Sequence, residues 1–459
     1  MYERDTITAI STALGEGAIG IVRLSGNQAI DMVNQIFQGG DLSQKASHTI
    51  HYGHIIDPQS QQVVDEVMVT LMKAPRTYTR EDVVEINCHG GIVAVQTILD
   101  LTTQLGARLA EPGEFTKRAF LNGRIDLSQA EAVMDLIEAK TNKAMQASLN
   151  QLQGSLSQRI RSLRQDMLDT LAQVEVTIDY PEYDQVEDLS LKQLGETALR
   201  VKASVGDILK QAQSGRLFRE GINTVIIGRP NVGKSSLLNL LAGMDKAIVT
   251  DIEGTTRDTI EEMVNIQGVP LKLIDTAGIR QTEEVVEKIG VEKSRQVMQV
   301  ADLIILLLNQ GEPLEEVDIE LLQATQNQKR IIVLNKQDLV SQLDRQVLAN
   351  YAQAEEILET SLLQADGSRV LEDRIHDLFF QGQLQSNDIN YLLNSRHTSL
   401  LKEAMQALDE VIQATDLAMP VDLIQIDFTR AWDLLGEITG DSVQDELLDK
   451  LFSQFCLGK

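Results

Sequence analysis

Hydrophobic spacing divides the 459-residue chain into stretches of different period. Near the N-terminus, apolar-rich runs at Ile19–Leu24, Val67–Met72 and Val83–Ile86 predict strands, and Gly90 to Leu105 predicts a helix closed by Gly106. Pro112-Gly113 then breaks the chain. From Ile125 to about Gly215 the spacing turns helical, with one stripe at Ala130, Val133, Met134 and Ile137 and another at Leu163, Met167, Leu168 and Leu171. Tyr180-Pro181-Glu182-Tyr183 interrupts that stretch. Residues 222 to about 380 alternate short apolar strands with helices, the pattern of a doubly wound sheet. Beyond 386 a helical stripe returns at Leu400, Leu401, Ala404, Leu408, Val411 and Ile412. The expected fold is multidomain, α/β plus α. An α+β domain (1–120) precedes an all-helical domain (121–216 with 384–459), into which an α/β domain (217–383) is inserted.

Composition narrows this further. An apolar fraction of 43% suffices for packed cores. The longest buried-type run, Leu303–Leu308, is too short to span a bilayer and predicts a buried parallel strand. Two distant cysteines, Cys88 and Cys456, argue against a disulfide framework and for the reducing cytoplasm. The N-terminal residues carry no secretory pattern. With 41 basic against 68 acidic side chains the net charge is −27. That sign opposes autonomous nucleic-acid binding, which draws its affinity from cations that neutralise phosphates. His48, His51 and His54, with Cys88-His89 downstream, match no zinc-ligand spacing and read as surface or packing residues.

The chemistry is concentrated in three motifs, each following an apolar strand. After Val225-Ile226-Ile227 comes Gly228-Arg229-Pro230-Asn231-Val232-Gly233-Lys234-Ser235-Ser236, a P-loop. Its glycines let successive backbone N–H groups turn inward on a phosphate, and the helix that follows adds its positive dipole end. Lys234 can reach the β and γ phosphates, and the Ser235 hydroxyl can ligate Mg²⁺. After Leu271–Ile274 comes Asp275-Thr276-Ala277-Gly278, where the carboxylate can hold Mg²⁺ through water and the Gly278 N–H can sense a γ-phosphate. After Ile331–Leu334 comes Asn335-Lys336-Gln337-Asp338, whose Asp338 carboxylate can accept two hydrogen bonds from guanine. Adenine would leave that acceptor unpaired, at a cost of about 2 to 5 kcal/mol. The three together predict a guanine-nucleotide domain. Base support is expected at Ser361, although Ser361-Leu362-Leu363 stands where such GTPases usually read Ser-Ala-Lys or Ser-Ala-Leu.

Hydrolysis needs an oriented water and positive charge on the phosphates. Ile279 stands where a Ras-type GTPase has the water-positioning Gln, so another group must act, and Glu283 to Lys288 supplies carboxylates. In the segment Thr250 to Asp258, Thr256 can ligate Mg²⁺, while Arg257 fits an arginine finger and a structural ion pair equally well. An Asn231 side-chain oxygen, with nearby carbonyls, offers a site for a monovalent cation.

These motifs, with Gly254-Thr255-Thr256-Arg257-Asp258, resemble the bacterial TrmE-Era-EngA-like GTPases. Outside the nucleotide domain the chain resembles the MnmE (TrmE) family of tRNA-modification GTPases. The likeness rests on Asp5-Thr6-Ile7, Gly20 to Gly26, Pro112 to Thr116, Arg118 to Gly123, Asp126 to Ala132 and the tail Phe455-Cys456-Leu457-Gly458-Lys459. The resemblance implies a homodimer working in a heterotetramer with an FAD- and NADH-dependent MnmG-type partner. Together they would place an aminomethyl or carboxymethylaminomethyl group on C5 of the wobble uridine, U34, and bind tRNA mainly through the complex. The one-carbon donor would be 5-formyl- or methylene-tetrahydrofolate, bound in the N-terminal domain, which would also dimerise. Carried over by motif, Arg23, Glu81, Arg124 and Lys459 would contact the folate; the family often has Lys at the place of Arg124. K⁺ would be held by Asn231, Thr250, Ile252 and Thr255, and Mg²⁺ by Ser235 and Thr256. Glu287 would orient the water, with two nucleotide domains meeting across K⁺. Cys456 is a candidate thiol nucleophile or a packing residue. Two other readings stay open, a GTP-switch ribosome-assembly factor binding rRNA and a folate-binding scaffold with a regulatory GTPase; the first usually carries a basic RNA-binding domain.

Overall fold

A computed structural model describes residues 5–179, 184–243, 262–267, 269–274, 298, 301–362, 364, 367–380, 391–441, 443, 445–456 and 458. Packing divides the chain into two compact units. One comprises Met1–Met134, Leu156–Ala198 and Gln406–Lys459; the other comprises Asp135–Ser155 and Leu199–Met405.

The first unit contains a sheet with strands β1 (Ile7–Ile10), β2 (Gly17–Ser25), β3 (Phe37–Gln38), β4 (Thr49–Ile56), β5 (Val63–Met72), β6 (Val83–Gly90) and β7 (Arg108–Leu109). Among the described residues their order is β3-β4-β5-β6-β2-β1-β7, antiparallel except for the β1–β7 edge. Alternation fixes the faces. Val67, Val69 and Leu71 of β5 and Val22 and Leu24 of β2 point into a core, covered by Val95, Ile98 and Leu99 of the helix Ile92–Gln104. Each such fully buried side chain contributes about 1.5–3 kcal/mol. Arg23 is out of phase with Val22 and Leu24, and lies opposite Glu85 in the β2–β6 register.

The helices of this unit bury apolar stripes, the first of them largely as the spacing predicts. Ser155–Asp179 buries Leu156, Ile160, Leu163, Met167 and Val174, and Val421–Thr439 buries Ile424, Phe428, Ala431, Leu435 and Ile438. Leu168, which the sequence pattern assigned to the stripe, is 44% exposed, as position i+1 from the buried Met167 requires on a narrow seam. Ile137, which belongs to the second unit, is likewise exposed, against the sequence pattern.

In the second unit, strands β8 (Ile222–Ile227), β9 (Glu262–Ile266), β10 (Val269–Leu273), β11 (Leu303–Asn309), β12 (Arg330–Asn335) and β13 (Ile357–Glu359) form a sheet ordered β13-β12-β11-β8-β10-β9. All described pairs are parallel except β9–β10. Every residue of β11 is buried, because both sheet faces are covered. Leu303, Ile305 and Leu307 feed one core, and Ile304, Leu306 and Leu308 feed the other. Among the described residues no helix is long and apolar enough to cross a membrane.

One charge network holds the N-terminal edge. The buried Arg118 guanidinium meets Asp5 at 2.6 Å, Glu114 at 3.0 Å and Glu81 at 3.2 Å. Arg108 adds contacts of 2.6 Å to both Asp5 and Glu114. Burial alone would push the Asp5 and Glu114 carboxyls up, but the two arginines outweigh it and hold both below their ordinary values of 3.8 and 4.5. Ionised carboxylates therefore stabilise this edge above about pH 4.5, and the contribution is lost as pH falls through the depressed native values. Arg118→Met should cost about 3–5 kcal/mol at neutral pH. The gap to wild type, measured by denaturant unfolding, should narrow as pH drops from about 5 toward 3. A gap independent of pH would remove the ionic origin.

Candidate functional site

The β8 strand ends at Ile227, and the loop 228–233 turns into the helix Lys234–Gly243, whose first described bond runs from Leu237 N–H to the Gly233 carbonyl. Gly233 has φ +110°, and a Cβ there would lie 2.3 Å from Asn335 Nδ2. Only glycine tolerates both the dihedral and the approach. Asn231 also sits in the left-handed region, at φ +63°, where asparagine is among the better-tolerated side chains. It is exposed, as are Ser235 and Ser236, while Val232 is buried. The Lys234 ammonium donates to the carbonyls of Gly228 (2.7 Å) and Arg229 (2.6 Å), which hold it across the mouth of the loop. Partial burial lowers its pKa.

Asn335, the buried last residue of β12, ties this loop to the next motif. Its Nδ2 donates to the Val232 carbonyl at 2.8 Å, and its Oδ1 accepts the Leu362 N–H at 3.1 Å. Lys336 follows at φ +66°. Asp338 is exposed, and the Ser361 hydroxyl donates to its Oδ1 at 2.8 Å. The departure at Leu362 is accommodated because that side chain turns into the sheet core, 5% exposed, while its N–H faces Asn335. The structure therefore brings Val232, Gly233, Lys234, Asn335, Asp338 and Ser361 into one connected set. Thr250, Ile252, Thr255, Thr256, Asp275, Thr276, Ala277, Gly278 and Glu287 lie outside the described residues. The inward Lys234, the hard hydroxyl oxygen of Ser235 at a helix start and the glycine-only cradle fit a Mg²⁺-bound nucleotide phosphate. Among the described residues no cluster of three or more His, Cys, Asp or Glu could hold a metal.

In the first unit a second candidate site gathers around Tyr78. The Arg124 guanidinium lies 4.8 Å from the Tyr78 ring centroid, and Arg23 lies 5.6 Å from that of the buried Phe115. Tyr78 packs against Phe115, and its hydroxyl pairs with Thr116 at 2.9 Å. Burial raises the Tyr78 pKa, so the phenol stays protonated although both arginines oppose the shift. Two cations beside aromatic faces suit a planar anionic ligand such as a folate. The C-terminal segment closes this region. Gly458 accepts from Arg23 Nη1 at 3.1 Å and from the Ser11 hydroxyl at 3.2 Å, and the Cys456 carbonyl accepts the Gly113 N–H at 3.3 Å. Cys456 is exposed, and Lys459 is outside the described residues. Glu81, 20% exposed, pairs with Arg118 at 3.2 Å and accepts from the Ser25 hydroxyl at 2.7 Å. Burial pushes the Cys88 thiol up to about 11, which leaves it protonated.

A P-loop on a parallel sheet, with an Asn-Lys-x-Asp loop two strands along, defines a P-loop GTPase, here joined to an α/β N-terminal domain and to helices. The chain matches the GTP-binding protein TrmE N-terminus over residues 6–124 and the MnmE helical domain over 127–456, a span that brackets the nucleotide domain. It is 62% identical over 459 residues to the tRNA modification GTPase MnmE of Enterococcus faecalis, covering 100% of this chain and 99% of that one. Identity to the enzyme of the same name from Lactiplantibacillus plantarum is 60% over 458 residues, covering 100% and 99%, and to that of Bacillus mycoides 57% over 457 residues, covering 100% of both. The chain belongs to the MnmE family of tRNA modification GTPases.

Gly233→Ala should displace the Asn335 amide and strain the loop by about 1–3 kcal/mol, which weakens GDP binding roughly 10- to 100-fold. Titration with a fluorescent GDP analogue measures this, with thermal unfolding as the control for folding. An unchanged Kd would separate loop curvature from binding.

Proposed function

We propose that this GTP hydrolase uses nucleotide turnover to drive C5 modification of the tRNA wobble uridine, U34, with the carbon unit delivered from a folate in the N-terminal domain. One observation carries the reading. A single chain joins a phosphate loop and guanine-type base loop, bridged by Asn335, to an arginine–aromatic pocket closed by its own C-terminal segment.

Within the nucleotide site, Asp338, steadied by Ser361, accepts from the guanine edge, and Lys234 leaves its loop carbonyls for the β and γ phosphates. Asn231, Ser236, Thr276, Ala277, Gly278 and Lys336 complete the nucleotide contacts. When bound, Mg²⁺ on Ser235 and Thr256, with Asp275 behind a water, and K⁺ on Asn231, Thr250, Ile252 and Thr255 neutralise charge on the phosphates. Glu287 orients the attacking water. At the folate pocket Arg23, Glu81, Arg124 and Lys459 contact the ligand, Glu81 also pairing with Arg118, and Cys456 is a possible thiol of the same tail. A homodimer pairs the nucleotide domains and works with an FAD- and NADH-dependent MnmG-type partner. That partner supplies much of the tRNA-binding surface, consistent with a net charge of −27. The assembly is cytoplasmic.

Nucleoside analysis of tRNA from a deletion strain tests the reading. The wild-type gene should restore the modified wobble uridine, and Asp338→Asn should not, because its guanine preference is lost. Restoration of modification by a chain that no longer selects guanine would refute the coupling. In a GTPase assay across protein concentration, turnover should be faster in KCl than in NaCl, and Glu287→Ala should slow it by about 10² with GTP affinity kept. Equal rates in both salts would remove the cation site.

A further inference from the structure

Arg229 is the P-loop residue that the nucleotide chemistry leaves without a role, and its surroundings are unusual. Its neighbours Pro230 and Asn231 are exposed, yet the Arg229 side chain is only 10% exposed. Its Nε lies 2.8 Å from Asp318 Oδ2, Nη2 lies 3.3 Å from Glu312 Oε2, and Nη1 pairs with Glu315.

Each acid is anchored in turn. Asp318 is 2% exposed and accepts the Glu315 N–H at 3.1 Å, as the N3 member of the capping box that starts the helix Glu316–Ala324. Glu312 Oε1 accepts from Asn309 Nδ2 at 2.6 Å, and Asn309 ends β11 directly opposite Asn335 in the ladder. One guanidinium thus ties the phosphate loop to the start of a helix and the end of a strand. The same residue's carbonyl holds Lys234. The charge count sharpens the point, because three carboxylates crowd a loop whose ligand is a polyanion. Without a cation among them they would repel it.

We propose that Arg229 is a positioning residue for nucleotide binding. Its side chain fixes the carbonyls that present Lys234, and its charge screens the phosphate site from Glu312, Glu315 and Asp318. The proposal deepens the nucleotide-binding reading and rests on it. Binding of a fluorescent GDP analogue by the unaltered full-length chain tests that reading alone, and the variants test the proposal.

Arg229→Ala should weaken the analogue about tenfold or more. Arg229→Lys keeps the charge but not the fork, and should recover part of the loss. Arg229→Ala combined with Glu312→Gln and Glu315→Gln neutralises two of the three uncompensated acids and leaves the helix-capping Asp318 in place, and should bind more tightly than Arg229→Ala alone. The loss in the single variant should also shrink as NaCl rises, because exposed carboxylates are screened. An Arg229→Ala chain that binds with unchanged Kd overturns the proposal. So does a loss that neither lysine, the acid-to-amide changes nor salt relieves, because that pattern marks a purely structural residue.

Discussion

The Asn335 side chain is the interaction on which the nucleotide site depends. One buried amide spends its donor on the Val232 carbonyl and its acceptor on the Leu362 N–H, so the phosphate loop and the base loop share a single fixed point. The arrangement requires Gly233, since any Cβ would strike that amide. It also requires β12 to end beside β11, which in turn pairs with β8, and the fully buried parallel ladder ensures this. The place of the 335–338 loop relative to the phosphate loop is thereby set by sheet packing and not by loop sequence. That explains why a bulky Leu362 is tolerated where smaller residues are usual.

A second regularity concerns cations. In a chain carrying 68 acidic side chains, several arginines are held inside the fold by clusters of carboxylates. Arg118 is surrounded by Asp5, Glu81 and Glu114, and Arg229 by Glu312, Glu315 and Asp318. Arg330, 1% exposed, meets Glu356 and also donates to the Leu322 carbonyl and Thr325. Planar guanidinium groups with five donors suit such sites, and lysine would leave part of each cluster unpaired. These three guanidinium charges are therefore held inside the fold by carboxylates.

The sequence was legible where period and burial agree. Leu303–Leu308 could be read as a buried parallel strand because nothing but two covered faces accommodates six consecutive aliphatic residues. The P-loop and Asn-Lys-x-Asp motifs were legible because backbone curvature and base chemistry leave few residue choices. Leu168 and Ile137 were misassigned because a helical stripe has soft edges, and a residue one step from Met167 fits the period nearly as well as its neighbour. Glu81 also pairs with Arg118, a partner 37 residues away that spacing cannot reveal. Arg229 is not legible in sequence because a charged loop residue looks like ordinary surface until the helix after β11 is folded against it.

The closing contact of the N-terminal pocket has a consequence in time. Gly458, at φ +84° and with no room for a side chain beneath the Ile10 carbonyl, receives the Arg23 guanidinium from 435 residues upstream. At about 5–20 residues per second, translation separates those two groups by roughly 20 to 90 s. The sheet that carries Arg23 leaves the ribosome early, but its pocket stays open until Gly458 has been made. A nascent or truncated chain can thus hold the first sheet while its arginine–aromatic pocket is still unsealed.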